Sequence, residues 1–176
     1  GPGLGGHCIP IDPQYLSWKM RTLDYNPRFI NLAAEINSAM PAFVKDTVVN
    51  ALNRHGKALN GSSVLVLGAA YKKDVDDVRE SPALDVLVLL EMAGATADFF
   101  DPYVTDILLD NKNKAGLTEL TAEQINTYDA VVILTDHSNV DYELVKKQAT
   151  LIIDTRNVYP LNNDEKIIRL GVGKKD

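Results

Sequence analysis

The sequence predicts an α/β protein in which a Rossmann-like parallel sheet follows a long helical segment. From residue 63 onward, short continuous apolar stretches alternate with helix-compatible stretches, which is typical of a parallel sheet covered on both faces. Before that, apolar residues recur at close to helical spacing from residue 28 to about residue 54. With 176 residues, 45% of them hydrophobic, the chain is long enough for one full domain and an appendage.

The first helix is predicted over residues 14–23. Asp12 has the residue type of an N-cap, and Pro13 suits the first helical position. The sequence Asp-Tyr-Asn-Pro at 24–27 interrupts the helical pattern.

One long helix, or two in series, is predicted over residues 28–54. Pro41 lies inside this stretch and is expected to kink or restart the helix near residues 39–40. His55-Gly56 ends it. A helix longer than the usual range favours a connecting or dimer-forming role. We place the domain boundary at 56–61, which gives a helical region over 1–55 and a sheet domain over 56–176.

The second domain is predicted to alternate strands and helices. Ser81 has the residue type of a helix cap, so a helix is expected to follow it directly. The predicted strands are 63–67, 97–100, 130–134 and 151–153, and the predicted helices are 82–93, 121–126 and 142–148.

Composition excludes several classes of function. A net charge of -6 argues against a nucleic-acid-binding surface. No apolar run is long enough to cross a membrane and no leader precedes the fold, so we expect a cytoplasmic protein without a membrane partner. The single cysteine excludes an intramolecular disulfide and a multi-cysteine zinc cluster, and no metal site is predicted.

The most informative stretch is Gly-Pro-Gly-Leu-Gly-Gly-His-Cys-Ile-Pro-Ile-Asp-Pro at residues 1–13. It brings Cys8 to the start of the first predicted helix, and a helix N-terminus favours the nucleophilic thiolate. Gly3, Gly5 and Gly6 allow backbone amides to approach a phosphate or an oxyanion closely. The alternative is a buried structural cysteine beside a flexible chain end.

This stretch resembles the catalytic-cysteine signature of the UDP-glucose/GDP-mannose dehydrogenase family, which oxidises the C6 alcohol of a nucleotide sugar to the acid. His7 before the cysteine is similar to the UDP-N-acetylhexosamine branch. The resemblance implies that Cys8 is the nucleophile and that Asp12 positions water or handles protons. As an N-cap, Asp12 would instead be purely structural. The resemblance further implies substrate contacts at Gly3, Leu4, Gly5 and Gly6, and contacts with NAD at His7, Ile9, Pro10 and Ile11.

The sheet domain is not expected to hold NAD in the usual way. The first strand ends at Gly68, but Gly-Ala-Ala-Tyr-Lys lacks the second and third glycines of a dinucleotide-binding turn. Asp101 follows the next strand at more than the roughly 20-residue offset of a ribose-binding acid. Polar loops at 71–82, 135–138 and 154–157 are nevertheless expected at one sheet edge, where open parallel sheets bind ligands.

The family resemblance extends to these loops. Tyr71-Lys72 and the Asp-Val-Arg-Glu-Ser-Pro sequence that begins at Asp77 are similar to the signature of the family's UDP-binding domain. The resemblance implies that Tyr71, Lys72 and Arg156 contact the UDP-sugar and that Arg79 reaches toward NAD. For His137, both a substrate contact and a loop-holding role are open, and we favour the second.

Two functions are compatible with these features. The first is the carboxy-terminal part of an NAD-dependent dehydrogenase, a homodimer through its long helix, whose NAD lies mainly in a domain outside this sequence. That interpretation treats the chain as a fragment, since the family's NAD domain and its catalytic lysine, asparagine and glutamate lie outside it. The second is a non-catalytic module that binds UDP or a UDP-sugar and dimerises. A thiol hydrolase using Cys8 and His7 is disfavoured because adjacent residues rarely orient as a nucleophile and its base.

Overall fold

The computed structural model describes residues 1–160 and 164–171. Within them, the helices are α1 (Asp12–Arg21), α2 (Arg28–Arg54), α3 (Pro82–Met92), α4 (Ala122–Asn126) and α5 (Tyr142–Gln148). The strands are β1 (Ser63–Leu67), β2 (Thr96–Phe100), β3 (Asp106–Leu109), β4 (Lys112–Ala115), β5 (Ala130–Ile133), β6 (Ile152–Asp154) and β7 (Ile167–Arg169).

The main sheet of the described residues has five strands in the order β2-β1-β5-β6-β7. All its neighbouring strands pair in parallel. The chain moves from β1 to β2 on one side and later to β5 on the other, so the strand order reverses between β1 and β5. The predicted Rossmann-like parallel sheet, preceded by a helical segment, is confirmed.

Alternate residues of the central strands point into two separate cores. Val64 and Val66 of β1 belong to the core that also contains residues of α2 and α3. Leu65 and Leu67 belong to the opposite core, which contains residues of α4 and α5. Both faces of the sheet are therefore covered, as the continuous apolar stretch of β1 predicted.

The long helix α2 is a single helix that continues through Pro41. Its second half anchors it to the sheet, because Val44, Val48 and Leu52 are fully buried in the core of α2 and α3. Its first half leaves large apolar side chains exposed, among them Phe29 at 88%. The predicted domain boundary between residues 55 and 56 stays a prediction. In the structure, the end of α2 packs against the sheet.

The predicted start of α1 is wrong by two residues. The helix begins at Asp12, its N-cap is Ile11, and no side chain caps it, so Asp12 is not the cap. The carbonyl of Cys8 accepts hydrogen bonds from the amides of Ile11 and Asp12, which starts the first turn earlier. Pro13 consequently occupies the second helical position rather than the first.

The antiparallel hairpin of β3 and β4 and the edge strand β7 were not predicted. In the hairpin, Asp110 and Asn111 both have positive φ, as a two-residue turn of this kind requires. The sequence of β4 is Lys-Asn-Lys-Ala, which has low β propensity and is mostly exposed. Its pairing with β3, rather than its own residue types, makes it a strand.

No helix among residues 1–160 and 164–171 has both the length and the apolar character needed to cross a membrane. In the same part of the chain, no group of three or more His, Cys, Asp or Glu side chains is arranged to hold a metal ion.

Candidate functional site

The cysteine loop, which we define as residues 1–11, packs directly against the loop that follows β1. We call this second segment, residues 68–81, the β1 loop. The amide of Gly6 donates to the carbonyl of Arg79 at 3.0 Å. A Cβ on Gly5 would lie 2.6 Å from the carbonyl oxygen of Glu80, and one on Gly6 would lie 2.8 Å from the ring of Tyr71. Only glycine fits at these two positions without displacing one loop.

A second set of contacts attaches the cysteine loop to α2 and α3. The amide of Leu4 donates to Oδ1 of Asn37 at 2.8 Å. Gly3 has a φ of 138°, and a Cβ there would lie 3.0 Å from Pro82 at the start of α3. The carbonyl of Asn37 lies on the same side of Gly3. In a regular helix this carbonyl would accept the amide of residue 41, but Pro41 has no amide hydrogen to donate. The loop is therefore held between the helical region and the sheet domain.

These contacts change the interpretation of the glycines. Gly3 and Gly6 have positive φ, as their residue type allows. The amides of Leu4 and Gly6, however, donate to Asn37 and Arg79 within the protein. The glycines therefore serve close packing of two loops, and their predicted contacts with substrate stay predictions.

Cys8 is exposed, so it is not a buried structural cysteine. Its Sγ lies 3.9 Å from Nδ1 of His7. Its carbonyl accepts the amides of Ile11 at 3.2 Å and Asp12 at 2.8 Å, and this tight turn fixes the cysteine just before α1. The exposed Asp12 is thus tied to Cys8 through the backbone. The structure brings the two predicted catalytic residues together but does not test their roles.

An ion pair of the β1 loop lies within electrostatic reach of the cysteine. Arg79 donates to both carboxylate oxygens of Asp77, with its Nη2 at 2.6 Å. The hydrogen bonds from Arg79 lower the pKa of Asp77 to about 2. Asp77 in turn raises the pKa of Arg79, with smaller contributions from Tyr71 and Cys8. Because the carboxyl pKa is lowered on folding, the pair persists at neutral pH and is lost only as the pH falls toward that value.

Arg156 reaches the cysteine loop from the other side. It follows β6, and its Nε donates to Oδ1 of Asp136 at 3.1 Å. Its Nη1 lies against Gly1, where an added Cβ would be 3.2 Å away. Tyr71 is half-buried beside Gly6, and the neighbouring Lys72 is exposed. Predicted binding residues from two separate loops therefore border the cysteine loop.

A largely apolar groove of about 760 Å³ lies between the cysteine loop and α2. This volume is in the range of small-molecule sites. Leu4, Ile9, Pro10 and Ile11 line it from the loop, and α2 contributes Phe29, Ile30, Ala33 and Ala34. Three of the residues predicted to contact NAD thus form one wall, and their apolar surface fits a flat ring such as nicotinamide. The β1 loop does not fit the pyrophosphate of a dinucleotide, because Asp101 already accepts the amides of Ala69 and Ala70.

The sequence analysis missed Asn37, which holds the cysteine loop and which no local pattern marked. Pro82 also holds this loop, and it is the last residue of the signature that begins at Asp77. His137 is fully buried and bonded to Asp101 and to the amide of Asp74, which confirms the loop-holding interpretation. Both Asp101 and His137 follow parallel strands, so their convergence at one sheet edge was a signal available in the sequence.

The packing of Gly6 against Tyr71 yields a testable prediction. Gly6→Ala places a methyl group against the ring and should release the cysteine loop from the β1 loop. We expect the Gly6–Arg79 hydrogen bond to open at least about tenfold more often, measured by hydrogen–deuterium exchange of that amide.

The matched control is Gly61→Ala. Gly61 also has positive φ, at 85°, but nothing lies within 4 Å of an added Cβ. Both substitutions strain the backbone, but only Gly6→Ala also brings the added methyl group into a clash with the ring of Tyr71. Equal protection of the loop amide in the two variants would contradict the packing argument.

The chain is similar to several known dehydrogenases. The chain is 35% identical over 170 residues to a UDP-N-acetyl-D-mannosamine dehydrogenase of Methanococcus maripaludis, covering 92% of this chain and 37% of the relative. It is 30% identical to a UDP-N-acetyl-D-glucosamine 6-dehydrogenase of Pseudomonas aeruginosa, covering 96% of this chain and 41% of the relative. The solved structure of UDP-D-ManNAc dehydrogenase from Pyrococcus horikoshii matches with a TM-score of 0.80 and 30% identity, covering 97% of this chain and 39% of that one. The chain therefore spans about two fifths of the length of these relatives.

Family models match in two places. The UDP-binding domain of the UDP-glucose/GDP-mannose dehydrogenase family matches residues 65–161, more than half of the chain. The central domain of the same family matches residues 1–39, which include the whole cysteine loop. The chain belongs to the UDP-glucose/GDP-mannose dehydrogenase family.

Proposed function

We propose that this chain is the carboxy-terminal part of an NAD-dependent UDP-N-acetylhexosamine 6-dehydrogenase, in which Cys8 is the nucleophile. The observation that carries the proposal is the position of Cys8. It is exposed on a loop that is held against Tyr71 and Arg79 of one loop and against Arg156 of another. The names of the relatives supply the substrate class, a UDP-N-acetylhexosamine.

Oxidation of an alcohol to an acid needs two oxidation steps and one hydrolysis, and a thiolate keeps the intermediate bound throughout. The first oxidation removes a hydride from C6 and a proton from its hydroxyl and gives the aldehyde. The Sγ of Cys8 then forms a bond to the carbonyl carbon while the carbonyl oxygen takes up a proton, which gives a thiohemiacetal. Loss of a hydride from that carbon and of a proton from its hydroxyl gives a thioester. Water then adds to the thioester, the carbon–sulfur bond breaks, the acid departs, and the thiol of Cys8 is regenerated. NAD, when bound, supplies the acceptor for the hydride in each oxidation.

The remaining residues of the site have binding and proton-handling roles in this proposal. Asp12, tied to Cys8 through its amide, positions the water and accepts its proton. Lys72 is a point charge suited to a phosphate, and the planar guanidinium of Arg156 makes two parallel bonds to such a group. His7, Ile9, Pro10, Ile11 and Arg79 would hold NAD in this proposal, and three of them, Ile9, Pro10 and Ile11, line the groove opposite the first half of α2.

An alternative function in another class is favoured by one observation. The helical region of residues 1–55 exposes large apolar side chains on α1 and α2, including Trp18 at 66%, Leu32 at 51% and Ile36 at 57%. Contiguous surfaces of this kind mark interaction sites. As an isolated chain, the protein would then be a UDP-binding and homodimerising module without turnover. A cytoplasmic location stays a prediction in either case.

Replacing the nucleophile tests the catalytic proposal. In the dehydrogenase that contains this chain, Cys8→Ser should reduce acid formation at least about a thousandfold, because the serine hydroxyl is a far weaker nucleophile without an activating base. The measurement is NADH production with UDP-N-acetylhexosamines. Calorimetry on the same variant serves as the control, since UDP affinity should be unchanged. Acid formation at the wild-type rate would refute the assignment.

The binding role of the sheet edge can be tested on the chain itself. We expect UDP to bind the isolated chain in calorimetry, and Arg156→Ala to weaken that binding by about ten- to a hundredfold, since a hydrogen bond to a charged group contributes roughly 1.5–3 kcal/mol. Arg54→Ala is the matched control, because Arg54 is an exposed arginine at the end of α2. Sedimentation of the same samples should give a dimer.

Equal effects of the two arginine substitutions would contradict the assignment of Arg156. A chain that binds UDP but sediments only as a monomer would remove the dimerisation role and leave the binding role intact.

A further inference from the structure

We infer that Asp101 and His137 are positioning residues that take the place of a bound phosphate at the end of β1 and thereby hold the β1 loop against the cysteine loop. The inference rests on the proposed function for its catalytic consequence. Its structural part can be tested without any activity.

The first step concerns the amides at the end of β1. In open parallel sheets that bind dinucleotides, the amides of the turn after the first strand bind the phosphates of the ligand. Here the amides of Ala69 and Ala70 donate to Oδ2 of Asp101, at 2.8 and 3.0 Å. The other oxygen of Asp101 accepts the amides of Tyr103 and Val104, at 2.8 and 3.2 Å. A carboxylate from the protein thus satisfies the donors that a phosphate would otherwise bind.

The second step concerns His137, which links Asp101 to the far part of the β1 loop. Its Nδ1 accepts the amide of Asp74 at 3.0 Å, so that nitrogen carries no proton. Its Nε2 then carries the proton and donates to Oδ2 of Asp101 at 2.9 Å. The imidazole is fully buried, with the ring of Tyr103 at a centroid distance of 5.2 Å. A single neutral tautomer of His137 therefore links the carboxylate of Asp101, which follows β2, to the amide of Asp74 in the β1 loop.

The third step extends this link to the catalytic region. Asp74 has a positive φ of 58°, and its carboxylate accepts both the amide and the hydroxyl of Ser138, each at 2.7 Å. Asp74 lies within a turn that a second hydrogen bond closes: the amide of Tyr71 donates to the carbonyl of Asp77 at 3.0 Å. The closed loop presents Tyr71 and Arg79 to Gly6. Displacement of His137 is thus transmitted to the segment that carries Cys8.

The protonation states agree with this arrangement. Burial alone would raise the pKa of Asp101, but hydrogen bonds from His137 and from the amides of Ala70 and Tyr103 outweigh burial and hold the pKa below its usual range. The carboxylate therefore stays charged at neutral pH and keeps accepting all its donors.

This arrangement also determines how a UDP-sugar diphosphate must bind. The crevice between β1 and β5, where the strand order reverses, is the usual ligand position in such sheets. The amides of Ala69 and Ala70 at this position already donate to Asp101, so the diphosphate is bound by the side chains of Lys72 and Arg156 instead.

The experiment compares three substitutions at this cluster. His137→Leu removes both hydrogen bonds of the imidazole, and His137→Gln keeps a donor that can reach Asp101 but has no acceptor at the Nδ1 position. Asp101→Asn keeps the shape of the carboxyl group but loses the charge. Ile125→Ala is the control for general destabilisation, because it opens a cavity in the opposite core, which contains no residue of the β1 loop.

The structural readout is hydrogen–deuterium exchange of the isolated chain under native conditions. We expect the amide of Asp74 to exchange at least about tenfold faster in both His137 variants, and those of Ala69 and Ala70 to do so in His137→Leu and Asp101→Asn but less in His137→Gln. In Ile125→Ala, the protection of these amides relative to that of the core amides should be the same as in the wild type. Should His137→Leu not fold, the other two variants decide the outcome.

The functional readout uses the dehydrogenase that contains this chain. In the His137 variants, kcat should fall at least about tenfold and UDP affinity should fall less than kcat, because Arg156 lies outside the β1 loop and stays in place while the cysteine loop shifts. His137→Gln should retain more kcat than His137→Leu. The inference would be overturned if the wild-type enzyme is active and the His137 variants keep both its kcat and its protection of the β1-loop amides from exchange. A wild type without dehydrogenase activity would overturn the proposed function instead, while the exchange pattern would still decide the positioning role.

Discussion

The contact between two glycines and the β1 loop determines the position of Cys8. At Gly5 and Gly6 there is no room for a Cβ, because the backbone of Glu80 and the ring of Tyr71 fill the space. The Gly6–Arg79 hydrogen bond and the Leu4–Asn37 hydrogen bond then fix the loop at two points. An exposed cysteine on a glycine-rich segment would otherwise sample many positions. A nucleophile needs one position relative to its substrate, because misplacement by about 1 Å lowers the rate strongly.

The β1 loop can serve as a rigid support because its polar groups are bonded inside the protein. Ser81 donates to the carbonyl of Ala69 and Thr135 to that of Ala70, while Asp101 accepts the two amides. A Rossmann-like sheet therefore functions here without the phosphate-binding turn of a dinucleotide domain. The β1 loop, whose amides are bonded within the protein, supports the cysteine loop. In the proposed function, the ligand contacts at this sheet edge come from the side chains of Lys72 and Arg156.

Much of the fold could be predicted because it depends on local pattern. The apolar run of β1, the Ser81 cap of α3 and the spacing of α2 each reflect a short stretch of sequence and its burial. Position errors occurred where a particular hydrogen bond or strand pairing, rather than residue type or apolar spacing, decides the geometry. The carbonyl of Cys8 begins α1 early and displaces Asp12 from the cap, and β4 is a strand only because β3 pairs with it. In the site, Cys8 could be identified from its glycine-rich loop and Tyr71 from the family resemblance, whereas the packing of Gly6 on Tyr71 joins positions far apart in the chain.

We propose that Cys8 forms the covalent intermediate while this contact holds it in place. Acid quenching of the dehydrogenase during turnover, followed by mass spectrometry of its peptides, would detect that intermediate. The peptide that contains Cys8 should gain the mass of the uronyl group in thioester linkage and lose it on treatment with hydroxylamine. An intermediate on any other residue, or turnover with Cys8 free throughout, would rule out this role for Cys8.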